Sequence, residues 1–248
     1  RWFAALAAGF AQNGAQVSAA LAALTEKVFV TSRLFAGYSG ALDAGVLARL
    51  IAALPQGAPG ATAAHKRYDA AACAVEIPAD VGFCALGHNL YALGSSYSGA
   101  CPVLSSLVSY GYLWNMVRVQ GGAYGTGMNV RRSGDIFCYS YRDPNLDNTR
   151  AVFSAVADFI EDFAAQGMPL DDIIIGAVNT TDPLLDPAGV CESQCVRALK
   201  GVTPEELAKT RHELLATKPA DLAAMADVLR KYAREGKFCT FSGANGGA

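Results

Sequence analysis

Apolar positions recur along this chain at two spacings, and the switch between them marks out helices and strands. In 14–25, Val17, Leu21 and Leu24 fall at helical intervals among alanines, and 27–31 then reads as a short strand. After a turn at 37–40, Leu42, Val46, Leu47, Leu50, Ile51 and Leu54 predict an amphipathic helix that stops at Pro55. Residues 56–66, with Gly57, Pro59 and Gly60, read as a surface loop. Strand-like content follows in 68–77 and 81–86, split by Pro78-Ala79-Asp80, so these two segments are expected to pair. A helix beginning near Pro102 carries Leu104, Leu107, Val108 and Leu113 into the stretch 111–141. There, Leu113, Trp114, Met116 and Val117 read as its apolar end, and alternation over 128–141 predicts two strands joined near Ser133-Gly134.

Beyond Tyr141, Arg142-Asp143-Pro144-Asn145 reads as an interruption, after which Val152, Val156, Phe159, Ile160 and Phe163 define one helical face ending at Gly167. Pro169 fits the first turn of a further helix, with Asp171 and Asp172 beside its exposed amides. Thr203-Pro204-Glu205-Glu206 has the spacing of a capping box, predicting a helix to about Thr217. A last helix with Leu222, Met225 and Leu229 precedes a strand at 238–241. Like elements come partly in pairs and no βαβ repeat appears, which favours an α+β fold: a largely antiparallel sheet covered by helices. With no internal repeat or linker, 1–248 is read as a single domain, with an entry helix in 1–26 and a frayed tail at 243–248.

Composition narrows the function classes. A chain of 248 residues with 52% hydrophobic content can bury a substantial core, and it lacks an apolar run of about 18 residues or a basic start followed by a cleavage pattern. Neither a membrane partner nor a secretory signal is indicated, and the beginning at Arg1 inside a helical pattern implies a piece of something longer. A formal net charge of −2 with interspersed signs argues against nucleic acid. Seven scattered cysteines read as reduced thiols; Cys191 and Cys195 share a helical face at i,i+4, with a structural role favoured over metal or redox use.

The loop within 111–141 carries the candidate chemistry. Gly121, Gly122 and Gly125 let another chain approach the backbone, and Arg118 and Tyr124 add a forked cation and a phenol. These two could donate to a peptide carbonyl or to oxygen gaining charge; equally, Arg118 could pair with an acid and Tyr124 pack at a strand entrance. Other motifs fail. Met128 stands where a phosphate-binding lysine would follow Gly122 and Gly127, and 94–99 lacks nucleophile-elbow spacing at Ser96 and Ser98. The three histidines, His65, His88 and His212, form neither H-E-x-x-H nor H-x-x-E-H. His88 is read as a loop residue and His212 as an ordinary helix residue.

Several separated motifs together resemble one family. Gly87-His88-Asn89-Leu90-Tyr91, Tyr97-Ser98-Gly99, Tyr112-Leu113-Trp114, Arg118-Val119-Gln120-Gly121-Gly122-Ala123-Tyr124-Gly125 and Ser140-Tyr141-Arg142-Asp143-Pro144-Asn145-Leu146 are similar to the presequence-protease group of pitrilysin/insulinase-type zinc metallopeptidases. Leu199-Lys200-Gly201-Val202-Thr203-Pro204-Glu205-Glu206 extends the likeness, which runs from about Tyr68 to Phe241. The resemblance implies the fourth of four related α+β domains, whose partner is the N-terminal half of the same protease and whose substrate is an unfolded peptide. Zinc and the catalytic glutamate would belong to that other half, and this chain would bind no cofactor. Zinc-bound water would attack the peptide carbonyl, while Arg118 and Tyr124 hold substrate or stabilise the oxyanion and Gly121, Gly122 and Ala123 contact the peptide. By itself the chain is expected to be inactive. A non-catalytic structural or peptide-binding subunit of the same fold is the alternative. Location would be cytoplasmic in a bacterium, and the mitochondrial matrix or plastid in a eukaryote.

Overall fold

Residues 2–41, 43–57 and 71–243 are described by the computed structural model. In chain order the helices α1 (Trp2–Ala8), α2 (Phe10–Val28) and α3 (Ala44–Ala53) lead to strands β1 (Cys73–Glu76) and β2 (Gly82–Asn89). Helix α4 (Ala100–Ser106) then continues at π-helical pitch through Leu107–Gln120 into a hairpin of β3 (Gly125–Val130) and β4 (Asp135–Asp143). There follow α5 (Leu146–Ser154), α6 (Val156–Ala165), α7 (Asp171–Thr181), α8 (Pro187–Leu199), α9 (Pro204–Ala216), α10 (Pro219–Ala223), α11 (Ala226–Glu235) and β5 (Lys237–Ser242). Contacts divide the chain into two compact units, Arg1–Arg67 with Leu185–Gly201, and Tyr68–Leu184 with Val202–Ala248.

In the first unit, Asp43 caps α3 by accepting from the amides of Gly45 and Val46 at 2.8 and 3.2 Å. The strand expected at 27–31 does not form. Helix α2 runs to Val28, Thr31–Arg33 makes a 3₁₀ turn, and the Thr31 amide donates to the Pro55 carbonyl at 3.0 Å instead of to a ladder. Most of the loop predicted at 56–66, and the tail at 244–248, lie outside the described residues.

The second unit holds a five-stranded sheet in the order β1-β5-β2-β4-β3. Its pairs β2–β4, β2–β5 and β3–β4 are antiparallel, as the paired strands of the sequence imply, whereas β1 and β5 run parallel with Cys73 opposite Cys239. The expected pairing of β1 with β2 is therefore corrected: the C-terminal strand inserts between them, a closure that local patterning cannot reveal. The 152–163 helix divides at Ala155, and α7 begins at Asp171 after Leu170, so Pro169 lies before the helix and not in its first turn. Strand β4 also runs on through Arg142 and Asp143. The capping box forms as read, with Glu206 N donating to Thr203 Oγ1 at 3.2 Å and Thr203 N donating to Glu206 Oε2 at 3.1 Å.

Period-two alternation sorts the sheet's side chains. Cys84, Leu86, Met128, Val130, Ile136 and Cys138 join Leu104, Leu107, Val108, Leu113, Phe153 and Ile160 in one core. Tyr232 of α11 is fully buried there; its hydroxyl donates to the Leu86 carbonyl at 2.7 Å and accepts from the Cys138 amide at 2.8 Å. Leu86 and Cys138 are register partners, so the phenol links β2 to β4 from the helical layer. The other set, including Phe83, Tyr139, Tyr141 and Phe241, stays partly or fully exposed.

Candidate functional site

The π-helix ends in the glycine loop, and its closure determines what that loop can offer. Gly121 and Gly122 donate their amides to the Arg118 carbonyl, and Ala123 donates to the Val117 carbonyl at 3.1 Å. Gly122 has φ 81°, and a Cβ on Gly121 would lie 2.5 Å from the Val117 oxygen, so this tight exit demands both glycines. Tyr124 N donates to both the Tyr141 and Arg142 carbonyls, at 3.1 and 3.2 Å, which starts the hairpin. The amides of 121–124 are thus engaged within the fold. Ala123 is buried in the core, leaving backbone carbonyls as what 121–123 can present to a peptide.

This closure brings Arg118 and Tyr124 together. The Arg118 guanidinium carbon lies 4.0 Å from the centre of the Trp114 ring and 6.0 Å from that of Tyr124. Arg118 is half-buried, whereas Tyr124 is 64% exposed. Trp114 stacks on Arg118 as a cation–π shelf, and Tyr110 lies 6.5 Å from Trp114, making a Tyr110-Trp114-Arg118 stripe at steps of four. That spacing is visible in the sequence; reading Trp114 only as helix core concealed its role.

A groove of about 320 Å³ runs beside β3, and Tyr110, Trp114, Thr126 and Tyr139 help to line it. Two serines of the helical segment occupy the edge of that strand. Ser109 Oγ accepts from Met128 N at 2.9 Å and donates to Met128 O at 3.3 Å, and Ser105 Oγ accepts from Val130 N at 3.0 Å. The edge backbone is therefore satisfied at these positions, which leaves surface and side chains as what the groove can offer there. Tyr97, also in its wall, has its phenol pushed above the ordinary range chiefly by burial, which keeps it a neutral hydrogen-bonding group.

Arg142 is the second cation at the site. It has φ 49°, the one positive value at a non-glycine among the described residues, a conformation that costs on the order of 1–3 kcal/mol. Its neighbours hold it there. The Arg142 carbonyl accepts from Tyr124 N, while buried Asp143 accepts from Asn145 N at 2.8 Å and from Thr149 Oγ1 at 2.6 Å. The guanidinium carbon stands 6.0 Å from the Tyr124 ring and 5.8 Å from the Tyr141 ring; those two rings meet edge to face at 5.6 Å. The ion pairs among the described residues use Lys209, Arg211, Arg230 and Arg234, and neither Arg118 nor Arg142 takes part.

Residues 73–240 match the model of the PreP C-terminal domain. The chain belongs to that family. Among its relatives, Protein HypA of Clostridium perfringens is 32% identical over 160 residues, covering 64% of this chain and 16% of that protein. Presequence protease 1, chloroplastic/mitochondrial, of Arabidopsis thaliana is 34% identical over 157 residues, covering 63% and 14%. The chain thus spans about one-sixth of the length of these larger relatives. Among solved structures, a peptidase M16 inactive domain from Pseudomonas fluorescens superposes with a TM-score of 0.56 at 13% identity, covering 82% of this chain and 51% of that one; this likeness concerns the fold.

In this PreP C-terminal domain the remaining candidates fall on other elements than the arginine–tyrosine loop. His88 lies in β2, paired with Ile136, and not in a loop; its Nδ1 accepts from the Asn89 amide at 2.8 Å. His212 is exposed on α9, and His65 lies outside the described residues. Among the described residues, no three His, Cys, Asp or Glu side chains converge to hold a metal. Cys191 and Cys195 are free thiols on α8, facing the 35–39 segment within the first unit. No described helix is long and apolar enough to cross a membrane.

Proposed function

We propose that this chain is the catalytically incomplete C-terminal domain of a zinc-dependent, oligopeptide-degrading metalloendopeptidase, closing a peptide chamber with the N-terminal half of the same protease. Zinc is assigned to that half. The single observation that carries the reading is the juxtaposition of Arg118 and Tyr124, 6.0 Å from guanidinium carbon to ring centre and joined to an exposed groove through Trp114. Arg118, held over the Trp114 ring, presents its N–H fork to a peptide carbonyl. The Tyr124 hydroxyl donates to the same oxygen as it gains negative charge, and a donor fixed before the reaction stabilises that charge without reorganising. Carbonyls of Gly121, Gly122 and Ala123 accept from the peptide backbone. Unfolded peptides are the substrates, acting in the mitochondrial matrix or plastid of a eukaryote or the cytoplasm of a bacterium.

The test uses the full-length protein. Arg118→Ala and Tyr124→Phe each lower kcat/KM for an unstructured peptide by on the order of 10²-fold, with the melting temperature unchanged. Full turnover in both variants removes the role and leaves a structural or peptide-holding domain; loss of peptide binding without change in kcat assigns the pair to substrate capture alone.

A further inference from the structure

Resting on that reading of the site, we infer that Arg142 is a specificity residue: standing beside the Arg118–Tyr124 pair, its guanidinium receives a carboxylate of the peptide whose carbonyl that pair holds. Each guanidinium carbon lies 6.0 Å from the same Tyr124 ring. Both cations rest on aromatic faces and neither has a carboxylate partner among the described residues. An arginine laid against an aromatic ring keeps its N–H edge available, and that edge matches the two oxygens of a carboxylate. The backbone supplies an independent reason. Arg142 holds a left-handed conformation that glycine or asparagine would adopt at less cost, so its guanidinium has a use at this position beyond completing a turn. Tyr124 N gathers the carbonyls of Tyr141 and Arg142 into one bifurcated bond, which fixes the second cation relative to the phenol.

The carboxylate has two sources in a peptide, an acidic side chain or the free C-terminus, and the experiment separates them. Full-length protein is given four versions of one fluorogenic peptide: a single glutamate with a free C-terminus, the same with glutamate changed to glutamine, the same amidated, and one with both changes. The unmodified protein loses about tenfold in kcat/KM, mainly through KM, when the recognised carboxylate is removed. Arg142→Gln suffers that loss on the parent peptide and then no longer distinguishes the versions; Arg142→Lys regains part of the discrimination. Arg142→Gly, which accepts the positive φ, behaves like Arg142→Gln and shows that charge and not backbone is read. Equal losses by Arg142→Gln on all four peptides overturn the inference, as does unaltered discrimination. If Arg118→Ala and Tyr124→Phe also leave every peptide untouched, the reading of the whole site fails; if those two slow all peptides while Arg142→Gln changes nothing, only the role of Arg142 is lost.

Discussion

Successive residues of β4 meet opposite surroundings. Ile136, Cys138 and Ser140 point into the helical layer and are buried, whereas Tyr139 and Tyr141 remain 37% and 42% exposed on the other face. The buried face solves a packing problem, with Phe153 and Ile160 filling its contacts and Tyr232 satisfying backbone groups of β2 and β4. The open face retains aromatic area beyond what folding needs, and its end nearest the glycine loop carries Tyr124 and Arg142. Packing occupies one side of the sheet, and the proposed recognition site would use the other. Each side can therefore be damaged with little effect on the other, and that separation is open to experiment.

The largest expected contrast comes from removing one ring on each side. Phe153→Ala leaves a cavity at a fully buried position and costs about 3–5 kcal/mol of stability, whereas Tyr141→Ala, which loses edge contacts with Phe83 and Tyr124, costs about 1 kcal/mol. Denaturant unfolding measures both, and comparable losses would collapse the distinction between the faces. Next in size is Tyr232→Phe. It keeps the ring but strips the hydroxyl from the Leu86 carbonyl and the Cys138 amide, for a loss of about 1–3 kcal/mol. Peptide turnover by the full-length protein should be unaffected at temperatures where the variant remains folded.

A third contrast is a dependence on alkaline pH. Burial, ahead of the other influences, pushes the Cys84 thiol to about 11 and the Cys138 thiol to about 12, from an ordinary 9.0. The folded state thus favours the neutral thiols; this contribution is fully present below pH 9.0 and is lost as pH climbs through about 11 and 12. Melting temperature should fall across that window, and Cys138→Ala should make the fall shallower. An identical slope in the variant would show that other groups govern the alkaline loss.

Much of this division was legible in the order of residues. Alternation along β4, the glycine exit before Tyr124 and the Thr203-Glu206 capping box are local features, and each formed where its chemistry placed it. The proximity of Arg118 to Tyr124 also follows from a short loop between a helix end and a strand. Trp114 and Arg142 were missed for different reasons. Trp114 fits a core-facing helix pattern until the π-helical pitch shows it 38% exposed beneath Arg118. Arg142 sits before an Asp-Pro pair that resembles a simple strand end, and only the buried, hydrogen-bonded Asp143 and the Tyr124 amide reveal a strained backbone.

The sequence by itself determined most element types, the largely antiparallel character of the sheet and the residue kinds in the glycine loop, because propensity, capping and turn chemistry act over a few neighbours. Tertiary structure alone decided that β5 would enter between β1 and β2 and that Tyr232 would cross the helical layer to join two strands. It also decided that a second arginine would share the Tyr124 ring. These outcomes depend on the free energy of burying distant segments against one another and of satisfying every backbone group they bring inside, quantities that no local spacing encodes.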